Sequence, residues 1–213
     1  MAEITLTPTP PLGGLSIEIG ANRIVGRSDL ALISVAIPTG AESTCAERLK
    51  VTYGLDLPEP TVSRHTGAWR IVSMTADQLM LIGLGDGMER LREVGATVGN
   101  AGYTTNQTDA WVCVEVSGPD TLSALERICP LDLAELSFPV DGTARTSMEH
   151  LGTLIIRLGR ERFLLCSASS SAGSFAHAIE TSYRNVVSRQ SARAQSGSRR
   201  TAGTAPAPSR KRG

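Results

Sequence analysis

Histidine, cysteine, serine and paired carboxylate side chains carry much of protein chemistry, so their spacing is the first feature to consider. The three histidines, His65, His150 and His177, lie far apart, and the sequence has no H-x-x-x-H or H-E pair. This spacing argues against a metal site, because most metal sites draw closely spaced ligands from the chain. We therefore expect a structural or solvent-exposed role for each histidine.

The glycine-rich run GLGDGM at 83–88 lies between a predicted strand and a predicted helix. Its spacing is G-x-G-x-G, and the two lysines, Lys50 and Lys211, are both distant, so neither a dinucleotide fingerprint nor a P-loop is present. A plain strand-to-helix turn is therefore the favoured interpretation. The serine-rich run at 167–174 contains no G-x-S-x-G and is typical of a helix start.

Two carboxylates, Asp120 and Asp132, flank one predicted helix and could suggest acid–base chemistry. A charge at the helix N-terminus and a turn-forming aspartate explain them equally well without catalysis, and we favour that interpretation. Taken together, these patterns predict no catalytic, cofactor-binding or metal-ligating residue in this chain.

The four cysteines show no CxxC pair, which argues against structural zinc and a disulfide framework. We expect buried, free thiols in a reducing cytoplasm. No apolar run approaches the ~20 residues of a membrane helix, and the opening MAEITLTPTPPLGG does not resemble a secretory signal. These features predict a cytoplasmic protein with no membrane partner.

Charge is distributed unevenly along the 213 residues, although the formal net charge is zero. Residues 189–213 hold six arginines, one lysine and no acid, which leaves 14 basic against 21 acidic residues in 1–188. The tail has no large apolar residue, so we expect disorder. A nucleic-acid-binding arm is the alternative, but the tail has no aromatic residue to stack on bases, which argues against it.

The first half of the chain shows a strand–helix–hairpin–helix order. LALISVAI at 30–37 predicts a strand, and the helix predicted over 41–53 places Cys45 and Leu49 on one face. A hairpin is predicted from 68–72 and 78–82. It is followed by a helix over 86–98 that ends at Gly99 and whose apolar stripe is Met88, Leu91, Val94 and Val98.

The second half repeats this order. WVCVEV at 111–116 predicts a strand, SGPD at 117–120 predicts a helix start, and Pro130 ends that helix. Three strands are then predicted at 144–149, 153–158 and 161–166, with turns at Gly152 and Gly159. A last helix is predicted at 172–187, with an apolar face formed by Phe175, Ile179, Tyr183 and Val186.

The amino-acid sequence shows signs of an internal duplication. AERLKVTYGLDLPEP at 46–60 resembles LERICPLDLAEL at 125–136, at an offset near 76–79 residues. The sequence therefore predicts an α+β fold with two similar lobes, each an antiparallel sheet with packed helices. The predicted boundaries are an extended lead at 1–14, lobes at 15–104 and 105–188, and a disordered tail at 189–213.

The second half of the chain contains several specific motifs, namely SGPD with LERICPLDL at 117–133, FP at 138–139, ART at 144–146 and HAIE at 177–180. With these motifs, residues 107–183 resemble the gamma subunit of heterotetrameric sarcosine oxidase. The first half matches loosely, since WRIVSMTADQLML at 69–81 lacks the family's Trp-x-Gly-Pro. The resemblance implies a fold like the folate-binding T-protein of glycine cleavage, but it transfers no folate-site residue.

The resemblance also implies that the chain works within a complex of several subunits. Partner alpha, beta and delta subunits would carry FAD, FMN, NAD, tetrahydrofolate and zinc, and this chain would brace them without a cofactor of its own. The leading hypothesis is thus a non-catalytic gamma subunit of a complex that demethylates sarcosine to glycine. The alternatives are the equivalent subunit of N-methylglutamate dehydrogenase or another N-methyl amine oxidoreductase, a stand-alone folate-binding protein, and a nucleic-acid adaptor. Trp69 and Trp111 are the candidate interface anchors, although each could equally lie in a core.

Overall fold

Two antiparallel sheets form the framework of the computed structural model, which describes the backbone of residues 9–202 and the side chains of residues 9–192. The N-terminal sheet has the order β4-β5-β6-β3-β7. Its strands are β3 (Leu30–Ala36), β4 (Arg64–His65), β5 (Trp69–Thr75), β6 (Gln78–Leu84) and β7 (Tyr103–Asn106).

The C-terminal sheet has six strands in the order β1-β2-β8-β11-β10-β9. Its strands are β1 (Ser16–Ile19), β2 (Asn22–Gly26), β8 (Trp111–Ser117), β9 (Thr143–Met148), β10 (Leu151–Gly159) and β11 (Arg162–Ala168). The α-helices are α1 (Glu42–Tyr53), α2 (Gly87–Val98), α3 (Thr121–Leu125) and α4 (Ala172–Ala202).

The predicted duplication is confirmed by the strand order. In the first half β3, α1, β4, β5, β6 and α2 follow one another, and in the second half β8, α3, β9, β10, β11 and α4 do the same. The orders β4-β5-β6-β3-β7 and β9-β10-β11-β8-β2 are equivalent. The α+β class with two similar lobes is therefore the fold of this chain.

The predicted lobe boundary at residue 15 differs from the sheet arrangement. Strands β1 and β2 belong to the C-terminal sheet, where Arg23 pairs with Ser117 and Gly26 pairs with Val114. In the first lobe, the strand that follows α2 in the chain, β7, pairs with the free edge of β3. In the second lobe, no described strand follows α4, so the chain after this helix supplies no equivalent of β7. The N-terminal hairpin occupies the equivalent edge of β8, a pairing that local sequence patterns do not encode.

Four layers result, in the order helices, sheet, sheet, helices. Alternation along each strand sends one set of side chains to the helices and the other to the facing sheet. Ile33 and Leu81 pack with α1 and α2, while Leu32 and Ile82 pack with Leu164 of the opposite sheet. The inter-sheet layer is apolar, so burial of this surface joins the lobes.

Helix α4 is longer than the sequence predicts. It runs to Ala202, so residues 189–202 are helical rather than disordered, while 203–213 lie outside the described residues. Phe175, Ile179, Tyr183 and Val186 are buried as predicted, which anchors its first half. Extension of a helix that is already anchored avoids the nucleation cost, because its first turns are already formed.

Local geometry corrects three further expectations. Residues 11–14 of the predicted extended lead form a turn, closed by hydrogen bonds such as that from the Gly13 N–H to the Pro10 carbonyl. The turn predicted at Gly152 lies instead at Glu149 and His150, whose φ values are 46° and 68°. Met88, on the predicted apolar stripe of α2, is 49% exposed.

Candidate functional site

The junction of the two lobes contains the larger cavity, of about 580 Å³. It lies where the β2–β3 connection and the β6–α2 turn approach the start of β8. Its apolar wall includes Leu12, Leu30 and Trp111, and its polar groups include Asp86 and Asp109. A cavity of this size with a few polar groups falls within the range of small-molecule and peptide-side-chain sites.

An ion-pair network borders this cavity. Arg27 Nε and Nη2 each donate to the Asp29 carboxylate at 2.8 Å, and Nη1 donates to Glu115. Arg162 Nε donates to the other oxygen of Glu115 at 2.7 Å. Burial raises the pKa of Glu115, but hydrogen bonds and charges from the two arginines outweigh it and hold the pKa below 4.5. Two carboxylates and two guanidinium groups thus neutralise one another at the cavity edge.

The glycine-rich turn at 83–88 has a structural explanation. Asp86 is the N-cap of α2, and its side chain accepts hydrogen bonds from the backbone N–H groups of Met88 and Glu89 at 2.9 Å. The helix terminus that a phosphate would need is therefore occupied by the chain's own carboxylate. The plain turn that the sequence favoured is the arrangement present.

A second cluster links the lobes on the opposite side of the inter-sheet layer. Arg70 Nη1 donates to Asp141 Oδ1 at 2.7 Å, and His65 Nε2 lies 3.6 Å from Asp141 Oδ2. Asp141 has φ 66°, and its carbonyl oxygen accepts from the Ser63 N–H at 2.7 Å. These contacts tie the loop before β4 to the loop before β9, so they serve lobe packing.

A smaller cavity, of about 280 Å³, lies near this second cluster between the β5–β6 turn and β9. Thr143 and Arg145 of β9 line it together with Leu154 of β10. The Thr143 hydroxyl is buried and has no hydrogen-bond partner among the described residues. Sequence patterns do not indicate a cavity here: Thr143 lies in no motif, and Arg145 occurs only in ART at 144–146, which supports the family resemblance without assigning a site.

The structure does not bring the sequence-predicted candidates together. Asp120 accepts from Asn22 at 2.8 Å and from Gln190 at 2.6 Å, so it ties the β1–β2 turn to α3 and α4. Asp132 accepts from the Ser137 hydroxyl, a hydrogen bond that lowers its pKa. Both carboxylates therefore make structural hydrogen bonds within their own surroundings.

The histidines and the tryptophans occupy different environments. His150 is exposed in a turn, and His177 is exposed on α4, 3.5 Å from the Thr181 hydroxyl. Trp69 is 3% exposed and lies in the core of the first lobe, which makes it a packing residue rather than an anchor. Trp111 is half-buried at the larger cavity.

All four cysteines are buried and free. Cys113 and Cys166 face each other across β8 and β11 with their sulfur atoms 3.4 Å apart. The hydrogen bond with Cys113, together with burial, raises the pKa of Cys166, while burial raises the pKa of Cys45 and Cys129. Neutral thiols of this kind are poor nucleophiles and poor metal ligands.

Within residues 9–192 no group of three or more His, Cys, Asp or Glu side chains is arranged to hold a metal ion. Among the described helices, none is long and apolar enough to cross a membrane.

One important residue was missed by the sequence reasoning. Arg157 is fully buried in β10 and donates to backbone carbonyls of Leu133, Phe138, Gly159 and Arg160. It holds the loop between α3 and β9 in place. An arginine inside the apolar run LGTLIIRL was the available signal, since charged residues are rarely buried without such partners.

No family model matches this sequence, and no curated protein matches it. Solved structures do. A chain of the heterotetrameric sarcosine oxidase from Corynebacterium sp. U-96, in complex with pyrrole 2-carboxylate, superimposes with a TM-score of 0.72 at 15% identity. The match covers 84% of this chain and 95% of that chain.

The glycine cleavage system aminomethyltransferase T from Bartonella henselae is also similar, with a TM-score of 0.55 at 16% identity. That match covers 72% of this chain and 44% of the other, so this chain spans less than half of the aminomethyltransferase. This chain therefore has the two-lobed α+β fold found in a chain of heterotetrameric sarcosine oxidase and in part of aminomethyltransferase T.

Proposed function

We propose that this chain is a non-catalytic, gamma-like subunit of an oxidoreductase complex that oxidises an N-methyl amine, with sarcosine as the leading substrate. The observation that carries the proposal is coverage: the fold matches 95% of a chain from a sarcosine oxidase heterotetramer. By contrast, it matches only 44% of the aminomethyltransferase T chain. A chain equivalent to a nearly whole subunit fits a role within an assembly.

The side-chain inventory supports a bracing role. The histidines are dispersed, the described thiols are buried, and the carboxylates Asp120 and Asp132 are engaged in local hydrogen bonds. Substrate oxidation, flavin binding and folate chemistry would then belong to the alpha and beta partners, with zinc in the delta partner.

Exposed apolar side chains offer contact points for such partners. Leu136 is fully exposed on the loop between α3 and β9, and Val51 and Tyr103 are 80% and 72% exposed. The Asp132–Ser137 hydrogen bond at 2.6 Å fixes the turn that presents Leu136. Apolar side chains held in water by a defined turn are typical of residues that become buried on assembly.

The direct test is co-expression of the tagged chain with flavoprotein subunits encoded beside its gene. A co-purifying complex of about four different chains, with flavin absorbance and sarcosine-dependent oxygen uptake, supports the proposal. Oxidation of N-methylglutamate or another N-methyl amine instead keeps the subunit role and changes the substrate. A colourless chain that retains no partner contradicts the proposal.

A matched pair of variants tests the contact points. Leu136→Asp should reduce recovery of the complex, because a carboxylate cannot be buried in an apolar contact without a large desolvation cost. Ser174→Asp adds the same charge at an exposed polar position of α4, away from the three proposed contact points, and should leave recovery unchanged. Equal recovery with both variants would remove Leu136 from the interface.

A stand-alone folate-binding protein is the second candidate, favoured by the likeness to aminomethyltransferase T. It predicts saturable tetrahydrofolate binding by the isolated chain, measured by calorimetry. Absence of binding at millimolar ligand, together with assembly into a flavin-containing complex, would eliminate it.

A further inference from the structure

Two of the four cysteines lie side by side in the inter-sheet layer. Cys113 of β8 and Cys166 of β11 are register partners, and their sulfur atoms are 3.4 Å apart. They are separated by 53 positions in the chain, so only the pairing of β8 with β11 brings them together. Both belong to the apolar cluster between the sheets. Cys45 and Cys129 lie in the two separate cores on the helix sides of the sheets, away from this pair.

The backbone at this pair has the geometry that a cross-strand disulfide requires. The Cys113 carbonyl accepts from the Arg27 N–H at 2.8 Å, so the backbone of Cys113 bonds toward the end of β2 and away from β11. Cys113 and Cys166 are therefore a non-hydrogen-bonded pair of the β8–β11 ladder, a type whose Cα atoms lie about 4.5 Å apart. A disulfide spans Cα separations of roughly 4.4–6.8 Å. The sulfur atoms can thus reach bonding distance by side-chain rotation, with little movement of the strands.

Cys113 borders the larger cavity, and Cys166 lies behind it. Cys113 is 5% exposed and lines the cavity together with Leu32 and Trp111, which share the inter-sheet face. Cys166 is 0% exposed, and its pKa is raised by the hydrogen bond with Cys113 and by burial. A small oxidant that enters the cavity therefore meets Cys113 first, with Cys166 as the second thiol.

We propose that Cys113 and Cys166 form an oxidisable pair that a small neutral hydroperoxide converts to a reversible disulfide. The Cys113 sulfur attacks one oxygen of hydrogen peroxide, the O–O bond breaks, and Cys113 becomes a sulfenic acid while one water leaves. The Cys166 sulfur then attacks the Cys113 sulfur, the S–O bond breaks, and the hydroxyl leaves as a second water with the Cys166 proton. Overall, the two thiols lose two electrons and two protons, and one peroxide is reduced to two waters.

Proximity, rather than high thiol reactivity, favours the disulfide as the product. Neutral thiols react slowly with oxidants, so the first step is slow. Once the sulfenic acid has formed, the Cys166 sulfur is already at contact distance on a paired strand, so it competes well with a second peroxide. The bond joins the two central strands of the C-terminal sheet. The proposal is independent of the subunit role proposed above.

The test treats the purified, fully reduced chain with excess hydrogen peroxide and counts free thiols with Ellman's reagent in guanidinium. The reduced chain should show all four thiols and the oxidised chain two, and dithiothreitol should restore four. Tryptic digestion without reductant, after free thiols are blocked, locates the bond because the four cysteines fall in four different peptides. Peptides 93–127 and 163–184 should appear as a linked pair. Four remaining thiols, or a loss of thiols without this linked pair, would overturn the proposal.

Two variants distinguish a reactive pair from two thiols that are merely packed together. Cys113→Ala should keep its three thiols under the same treatment, because Cys166 then has neither a sulfur partner nor access to the cavity. Cys45→Ala removes a buried thiol from the first-lobe core and should still lose two thiols on oxidation. If Cys113→Ala loses thiols as fast as wild type, Cys113 is not the attacking sulfur and the proposal is wrong.

Urea unfolding shows whether the bond fits the strands. The disulfide links residues 53 positions apart and so restricts the unfolded chain. The oxidised chain should therefore unfold at a higher urea concentration than the reduced chain. An equal or lower midpoint would show that the bond strains the sheet, which contradicts the inferred geometry.

Discussion

Replacement of Arg157 by methionine tests the most unusual feature of the core. The guanidinium is 0% exposed and has no carboxylate partner among the described residues. Its Nη1 donates to the carbonyls of Phe138 at 2.6 Å and Leu133 at 3.1 Å, and its Nη2 donates to that of Arg160 at 2.6 Å. The guanidinium also lies 5.2 Å from the Phe163 ring centroid.

The expected loss can be estimated from these contacts. Methionine fills a similar volume but donates nothing, so two fully buried carbonyls lose a partner at about 1–3 kcal/mol each. The carbonyls of Gly159 and Arg160 are less buried and can turn to water. Relief of the buried positive charge offsets part of the loss. We therefore expect a fall of about 1–4 kcal/mol in the free energy of unfolding.

Urea unfolding followed by circular dichroism measures this change, with Arg127→Met as the matched control at an exposed position. At this chain length the loss corresponds to a fall of roughly 2–16 °C in Tm. Arg157→Lys keeps the charge but lacks the planar fork, so its loss should be intermediate. If Arg157→Met costs no more than the control, the carbonyl contacts contribute nothing and the reasoning is refuted.

Three further predictions concern packing, pH and thiols. Gly83→Val should destabilise the chain by about 1–3 kcal/mol, because a Cβ there would lie 2.7 Å from the Trp69 ring, whereas Gly152→Val meets no atom within 4 Å and serves as the control. Glu115→Gln should lower stability at pH 7 by roughly 1 kcal/mol. The pKa of the wild-type carboxylate is lowered in the folded state, so its contribution to folding stability is lost as pH falls below about 4.5. The free energy of unfolding of the variant, measured in urea, should therefore vary less with pH in that range. Parallel pH dependence of wild type and variant would contradict this prediction. The four buried thiols should react slowly with Ellman's reagent in the native protein and rapidly in guanidinium. Rapid reaction of one thiol in the native protein would show that this cysteine is not buried.

Periodicity predicted most of the regular elements. The strand at 30–37, the helix with Cys45 and Leu49 buried, and the hairpin before α2 all agree with the structure. These elements are amphipathic or bounded by turn residues, so the local amino-acid sequence determines them. The duplication was also visible, because both lobes repeat the same order of patterns.

Partners in space were not predictable in the same way. Nothing in NRIVG indicates that β2 pairs with β8 rather than with β3, since either edge would accept an apolar strand. The turn at Glu149 and His150 was missed because it uses αL backbone without glycine.

The sequence by itself determined the elements, the two-lobed plan and the dispersal of chemically active residues, because each depends on local period and spacing. Only the tertiary structure decided which groups meet. Cys113 and Cys166 meet although 53 positions separate them in the chain, and Arg157 reaches carbonyls on two separate loops. Such juxtapositions follow from how the sheets pack, a long-range outcome that no local pattern records.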